Sequence, residues 1–172
     1  MFSIIIPSYN NFNYLKNTIE SIKKNSNLNN EILVHVNDDN DKKTRDYLKL
    51  NNIKYTHSEI NIGLCSSINT IAKKISNEYL IYSHDDMYFC PNWDKVFLSE
   101  LRKLPENSDF FLSGTMVQPF DSYINLNCGD TIDNFNEQKL LSELPKIKFN
   151  DFQGTHWQPS LIPLKTWNKV GG

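Results

Sequence analysis

Apolar runs and helix-spaced apolar positions alternate along the first two thirds of the chain. Phe2 to Ile6 is a β-rich run closed by Pro7, which predicts a buried strand. Leu15, Ile19 and Ile22 then recur at i, i+4 and i+7, one face of a helix. Glu31 to Val36 predicts a second strand, closed by the turn Asn37-Asp38-Asp39-Asn40-Asp41. A shorter helix is expected around Tyr47 and Leu48, and a third strand over Ile53 to His57. Gly63 punctuates a loop, after which Leu64, Ile68, Ile71, Ala72 and Ile75 form an amphipathic pattern. A fourth run, beginning at Tyr79, ends at His84, and Phe97, Leu101 and Leu104 mark a helix beyond it.

Strand and helix in alternation predict an α/β fold with a mostly parallel sheet and helices on its faces. Right-handed crossovers then collect the strand-to-helix loops on one edge of that sheet. Those loops are Pro7–Asn13, Asn37–Lys42, Asn61–Leu64 and His84–Pro91. From about Ser108 the pattern degrades. Phe110 to Leu112 reads as a strand and Gly114 to Phe120 as a further one, while Asp121 to Glu137 is a polar, loop-like stretch. Gln138 to Leu144 reads as a short helix, and Gly154 to Pro163 as turn residues with a brief apolar run.

At 172 residues the length suits a single domain with a sizeable core. A formal charge of -2 argues against a surface that coats nucleic acid. Cys65, Cys90 and Cys128 are odd in number and widely spaced. They form neither a disulfide framework nor a metal-ligand spacing, which points to a reducing, cytoplasmic compartment. No basic leader and no long apolar span are seen, so neither a signal peptide nor a membrane segment is expected.

The fourth strand carries the most informative chemistry. Tyr79-Leu80-Ile81-Tyr82-Ser83-His84 runs directly into Asp85-Asp86. Acids just past the carboxyl end of a strand sit where open α/β sheets bind ligands. Adjacent carboxylates repel and are costly to bury, so a hard cation or a bound donor group is a natural reason for them. The pair therefore predicts metal-assisted chemistry on a phosphorylated substrate. A solvated acidic turn is the plainer alternative.

The order of motifs resembles the nucleotide-sugar-binding region of glycosyltransferase family 2, the inverting enzymes of GT-A type. Ser3-Ile4-Ile5-Ile6-Pro7-Ser8-Tyr9-Asn10 resembles that family's first strand and Pro-x-Tyr-Asn loop. Glu31-Ile32-Leu33-Val34 running into Asp38-Asp39 is similar to its second strand and nucleotide-binding acids. Asn61-x-Gly63-Leu64, with Asn69 further on, resembles its Asn-x-Gly loop, and Asp85-Asp86 its Asp-x-Asp-type metal motif. Val170-Gly171-Gly172 looks like the Gly-Gly that precedes Phe-Asp-Glu. Two departures stand out. The usual Asp-Gly-Ser is here Asp38-Asp39-Asn40-Asp41, and His84 replaces the first Asp of the metal motif.

The resemblance implies a GT-A, Rossmann-like sandwich, with 1–107 as the nucleotide-binding half and 108–172 as the start of an acceptor half. It implies transfer of a hexose from a UDP-sugar to a saccharide or glycan acceptor, assisted by Mn²⁺ or Mg²⁺. Asp86 would hold the cation, with His84 as a further ligand or a wall of the donor pocket. Asp85 would meet ribose or sugar hydroxyls. Asp39, with Asp38 as the alternate, would accept from uracil N3–H, and Pro7 and Tyr9 would frame the base. Asn61, Gly63 and Asn69 complete the expected donor set, though Gly63 also fits a plain turn.

The family's general base lies beyond the Gly-Gly segment, so the expectation is a donor-binding part of a longer protein. Within these residues Asp151 and His156 are the candidates for that base, and Trp157 for a sugar-facing aromatic surface. Two rivals stand beside this reading. One is a non-catalytic nucleotide-sugar-binding domain. The other is a nucleotidyltransferase, which expects a Gly-rich basic loop where this chain has Pro7 to Asn13, without either residue type.

Overall fold

The computed structural model describes residues 1–120, 122, 124–148 and 158–172. Asp151, His156 and Trp157 lie outside the described residues.

Six strands form the central sheet. They are β1 (Ser3–Ser8), β2 (Glu31–Val36), β3 (Lys54–His57), β4 (Tyr79–Tyr82), β5 (Leu112–Ser113) and β8 (Ser160–Pro163), in the spatial order β3-β2-β1-β4-β8-β5. The first four are parallel, and β8 runs antiparallel between β4 and β5. Two short strands, β6 (Val117–Gln118) and β7 (Ile124–Asn125), make a separate pair. The helices are α1 (Phe12–Asn25), α2 (Lys42–Leu50), α3 (Leu64–Ala72), α4 (Trp93–Leu101), α5 (Glu137–Glu143) and α6 (Leu164–Val170).

Strand alternation divides the core into two layers. Ile4, Ile6, Val34, Val36 and Ile81 face Leu15, Ile19 and Ile22 of α1, Leu48 of α2 and Trp93 and Phe97 of α4. Ile5, Leu33, Leu80 and Ile162 face Ile68, Ile71 and Ala72 of α3, with Leu164 and Trp167 of α6 against them. Strands buried on both faces explain why their sequences read as unbroken apolar runs.

Two expectations need correction. Pro7 does not close β1, which continues to Ser8. Odd-numbered residues of β1 turn their backbone groups toward β4, since the Ile5 carbonyl accepts from Ser83 N, whereas Ser8 turns toward β2 and accepts from Asn37 N. The β4 ladder stops at the Ile5–Tyr82 pair, so the nitrogen of Pro7 faces a position that needs no donor. The brief run after Gly154 is also more than a turn. Ser160-Leu161-Ile162-Pro163 is an inner strand, fully buried, and α6 follows it directly.

The order β3-β2-β1-β4 reverses direction at β1, making the crevice beyond β1 and β4 a topological switch point. There the loops after Ser8 and after Tyr82 separate.

Candidate functional site

Asp85 sits at the switch point and ties its two sides together. Its carboxylate accepts from Ser8 Oγ at 2.7 Å and from Asn11 Nδ2 at 3.0 Å. Its main-chain carbonyl accepts from Thr18 Oγ1 at 2.9 Å. All three donors belong to β1, the following loop or α1. Burial pushes the Asp85 carboxyl above its ordinary value, the hydrogen bonds from Ser8 and Asn11 pull it back, and the neighbouring Asp86 pushes it up again. The net direction is upward, so this carboxylate is incompletely compensated by its surroundings.

Asp86, one residue on, is exposed and has no hydrogen bond or ion pair among the described residues. It opens into a cleft of about 830 Å³ whose walls include His84, Met87, Phe97, Leu112 and Met116. His84 lies edge-on to the Tyr82 ring at 5.4 Å between centroids. No group of three His, Cys, Asp or Glu side chains converges among the described residues. A lone free carboxylate beside a cleft fits a hard cation that takes its other ligands from substrate phosphates and water, the usual arrangement for Mg²⁺.

The acidic turn after β2 divides its labour. Asn37 is buried and spans to the next loop, donating from Nδ2 to Asn61 at 2.7 Å and accepting from Ile62 N at 2.8 Å. Asp38 accepts from Nδ2 of Asn10, the residue after the half-exposed Tyr9, at 3.1 Å and from Asn40 N at 2.8 Å. The Asn40 backbone N–H first, then the Asn10 amide, hold its carboxyl below the usual range. Asp39 turns the other way, into an ion pair with Arg45 at 2.6 Å and toward His57 at 3.5 Å. Asp41 caps α2 by accepting from Thr44 N at 3.1 Å.

In the third loop Asn61 Oδ1 also accepts from Gly63 N at 2.8 Å, and Gly63 takes φ +81 at the N-cap of α3. Gly63 therefore serves the turn, with open space where a Cβ would stand. Asn69 lies apart on α3, its Oδ1 buried without a hydrogen-bond partner against Gly172. His35 is a core residue, its Nδ1 2.8 Å from Thr56 Oγ1, and burial lowers its pKa. The structure thus brings Pro7, Tyr9, Asp38, His84, Asp85, Asp86 and Asn61 to one edge of the sheet. Sequence reasoning passed over Ser8, Asn11, Thr18 and Asn37, although Ser8 and Asn37 both mark strand ends at that edge.

All three cysteines are free, and no helix among the described residues is long and apolar enough to cross a membrane.

Comparison with known proteins bears on this arrangement. The family profile described as Glycosyl transferase family 2 matches residues 3–150. An uncharacterized glycosyltransferase of Rickettsia felis is 32% identical across 98% of the chain, and one of Rickettsia prowazekii is 30% identical across 98%. The chain spans 28% and 52% of the lengths of those two relatives. Among solved structures, S. aureus TarS 1–349 in complex with UDP superposes with a TM-score of 0.68 at 15% identity, covering 98% of this chain and 48% of that one. The mannosyltransferase PcManGT of Pyrobaculum calidifontis, in complex with GDP-Man and Mn²⁺, gives 0.65 at 14% identity, covering 99% and 46%. The fold is therefore that of the GT-A glycosyltransferases, and the chain belongs to glycosyl transferase family 2.

Proposed function

We propose that these residues form the donor-binding part of an inverting glycosyltransferase that moves a hexose from a UDP-sugar to a saccharide or glycan acceptor. The observation that carries this reading is the free carboxylate of Asp86 beside the clasped carboxylate of Asp85, at the switch point of a GT-A sheet. The UDP complex of TarS supports the choice of nucleotide, and the Mn²⁺ complex of PcManGT supports a divalent cation.

In this reading Asp86 holds Mn²⁺ or Mg²⁺, with His84 lining the same wall. A cation bound there supplies Lewis-acid stabilisation of the charge that grows on the departing diphosphate. The exposed Tyr9 ring offers a face to the base, and Pro7 stiffens the end of β1 that leads to it. Asp38 rather than Asp39 is favoured for uracil N3–H, because Asp39 is engaged by Arg45 while Asp38 is tied to the Tyr9 loop through Asn10. Asp85 keeps lone pairs for a ribose or sugar hydroxyl, since two donors occupy half of what an ionised carboxylate accepts. Asn61 shapes the adjoining loop, and Asn69 serves the donor site more remotely.

Donor binding without turnover is the second reading. The nucleotidyltransferase alternative is set aside by the family match.

Calorimetry with UDP and GDP in the presence of Mn²⁺ tests the donor assignment. UDP is expected to bind about tenfold tighter than GDP, and Asp38→Ala to erase that preference, as loss of one base-reading hydrogen bond requires. Equal affinity in the unaltered chain refutes the uracil contact. UDP-sugar hydrolysis separates turnover from binding alone.

A further inference from the structure

The end of β1 and the loop after it hold two side chains whose donors end on one carboxylate. Ser8 is 2% exposed and its hydroxyl meets Asp85 Oδ2, while the Asn11 amide meets Oδ1. With Thr18 on the main-chain carbonyl, each of the three oxygens of Asp85 takes one donor from the far side of the crevice. Asp85 therefore has its rotamer and its peptide unit fixed, and that peptide unit leads directly into Asp86.

We infer that Ser8 and Asn11 are positioning residues of the donor site: by fixing Asp85 they aim the Asp86 carboxylate into the cleft. The inference rests on the donor-site reading above and adds to it two residues that contact neither base nor cation in that reading. The choice of chemistry supports a positioning role. A cross-link needed only for stability is made more cheaply by neutral partners, because even partial burial of a carboxylate carries a desolvation cost that neutral donors offset incompletely. Here the carboxylate is retained with single donors on each oxygen, so each oxygen keeps a lone pair for a ligand. At the other end of the sheet the contrast is plain. Asp94 takes its hydrogen bonds largely from backbone N–H groups of Asn27, Leu28 and Lys95, which exhaust it on the protein itself.

Sites of this kind depend on orientation to within a few tenths of an ångström, so loosening the support lowers ligand affinity without removing any ligand contact. The inference predicts that outcome for both residues.

The test is calorimetry of UDP with Mn²⁺ on the 172-residue chain and four variants, Ser8→Ala, Ser8→Thr, Asn11→Ala and Asn30→Ala, each well below its own unfolding temperature. Asn30 supports Asp94 and the Phe2 backbone at the opposite end, so it reports the effect of destabilisation alone. Ser8→Ala and Asn11→Ala are expected to weaken UDP–Mn²⁺ binding about tenfold each, Ser8→Thr to stay within about twofold, and Asn30→Ala to lower the unfolding temperature with affinity unchanged. Unchanged affinity in Ser8→Ala and Asn11→Ala overturns the inference and leaves Asp85 a strut. So does a Ser8→Thr variant as weak as Ser8→Ala, because the hydroxyl is then not the cause. Asn11 lies on a partly exposed loop, so its variant carries the test if the buried Ser8→Ala does not fold. Failure of the unaltered chain to bind UDP is a different result: it removes the donor-site reading itself, and the positioning role with it.

Discussion

The two ends of the sheet each hold a carboxylate that bridges α1 or its C-terminal loop to the segment after β4, and they treat it in opposite ways. At the amino end Asp94 is fully buried and accepts from Asn27 N at 2.8 Å, Leu28 N at 2.7 Å, Asn30 Nδ2 at 2.9 Å and Lys95 N at 2.9 Å. Burial pushes its pKa up, but the backbone bonds from Leu28 and Asn27 and the side-chain bonds outweigh it, and the net direction is down. At the carboxyl end Asp85 has fewer donors, both of them side chains, and its pKa moves up. The amino end is a finished joint. The carboxyl end is an unfinished one, with a free carboxylate next door and a cleft of about 830 Å³ beside it.

The hollows at the two ends differ in the same way. The smaller one, about 420 Å³, lies by Leu28, Asn30, Ile53 and Lys54. Its acid, Glu31, is already matched by Lys54 at 2.5 Å and by the Ser3 hydroxyl at 2.8 Å. No comparable partner meets Asp86 among the described residues.

Breaking the finished joint should have the largest effect on stability. Asp94→Ala removes the common acceptor of several donors and leaves a cavity at a fully buried position, and is expected to cost about 3 kcal/mol, read by urea unfolding at neutral pH. The sign of its pH dependence follows from the lowered folded pKa. Asp94 contributes stability that is fully present above its unfolded value of 3.8 and is lost as pH falls through the lower folded value. Stability of the unaltered chain should therefore fall through that acid window, and Asp94→Ala should show a shallower slope there. An unchanged slope means that Asp94 is not the group responsible.

Asp85→Ala should cost less, about 1 kcal/mol, because the loss of two hydrogen bonds is partly offset by removing an under-compensated, half-buried charge. Equal losses at Asp85 and Asp94 would erase the distinction between the two joints.

The fold and the site were legible in the chain to different degrees. The elements through α4 follow the chain's apolar pattern, since β1, β2 and β4 are largely apolar runs and α1 and α3 keep their spacing, whereas the edge strand β3 is mostly polar and partly exposed. Beyond Ser108 β5, β6 and β7 have two residues each, too short to show alternation, and β8 is a four-residue run that follows Pro159 and ends in Pro163. Its place between β4 and β5 is set by tertiary packing, which local pattern does not encode. Asp85 and Asp86 were visible as acids at a strand end. Their separate conditions were not, because the donors to Asp85 lie 74 and 77 residues away in the chain. In the same way, the Arg45–Asp39 ion pair spans six residues and distinguishes Asp39 from Asp38 in a turn that the sequence leaves ambiguous.

The smallest effect on stability is expected at Asp86, and it carries the central claim. An exposed carboxylate without a protein partner should be replaceable at a cost within about 0.5 kcal/mol. UDP titrated calorimetrically into the unaltered chain and into Asp86→Ala, with and without Mn²⁺, is the most direct measurement. Mn²⁺ should tighten UDP binding to the unaltered chain about tenfold or more, and Asp86→Ala should abolish that gain while leaving the unfolding midpoint in place. A gain from Mn²⁺ that survives Asp86→Ala unchanged would contradict the account.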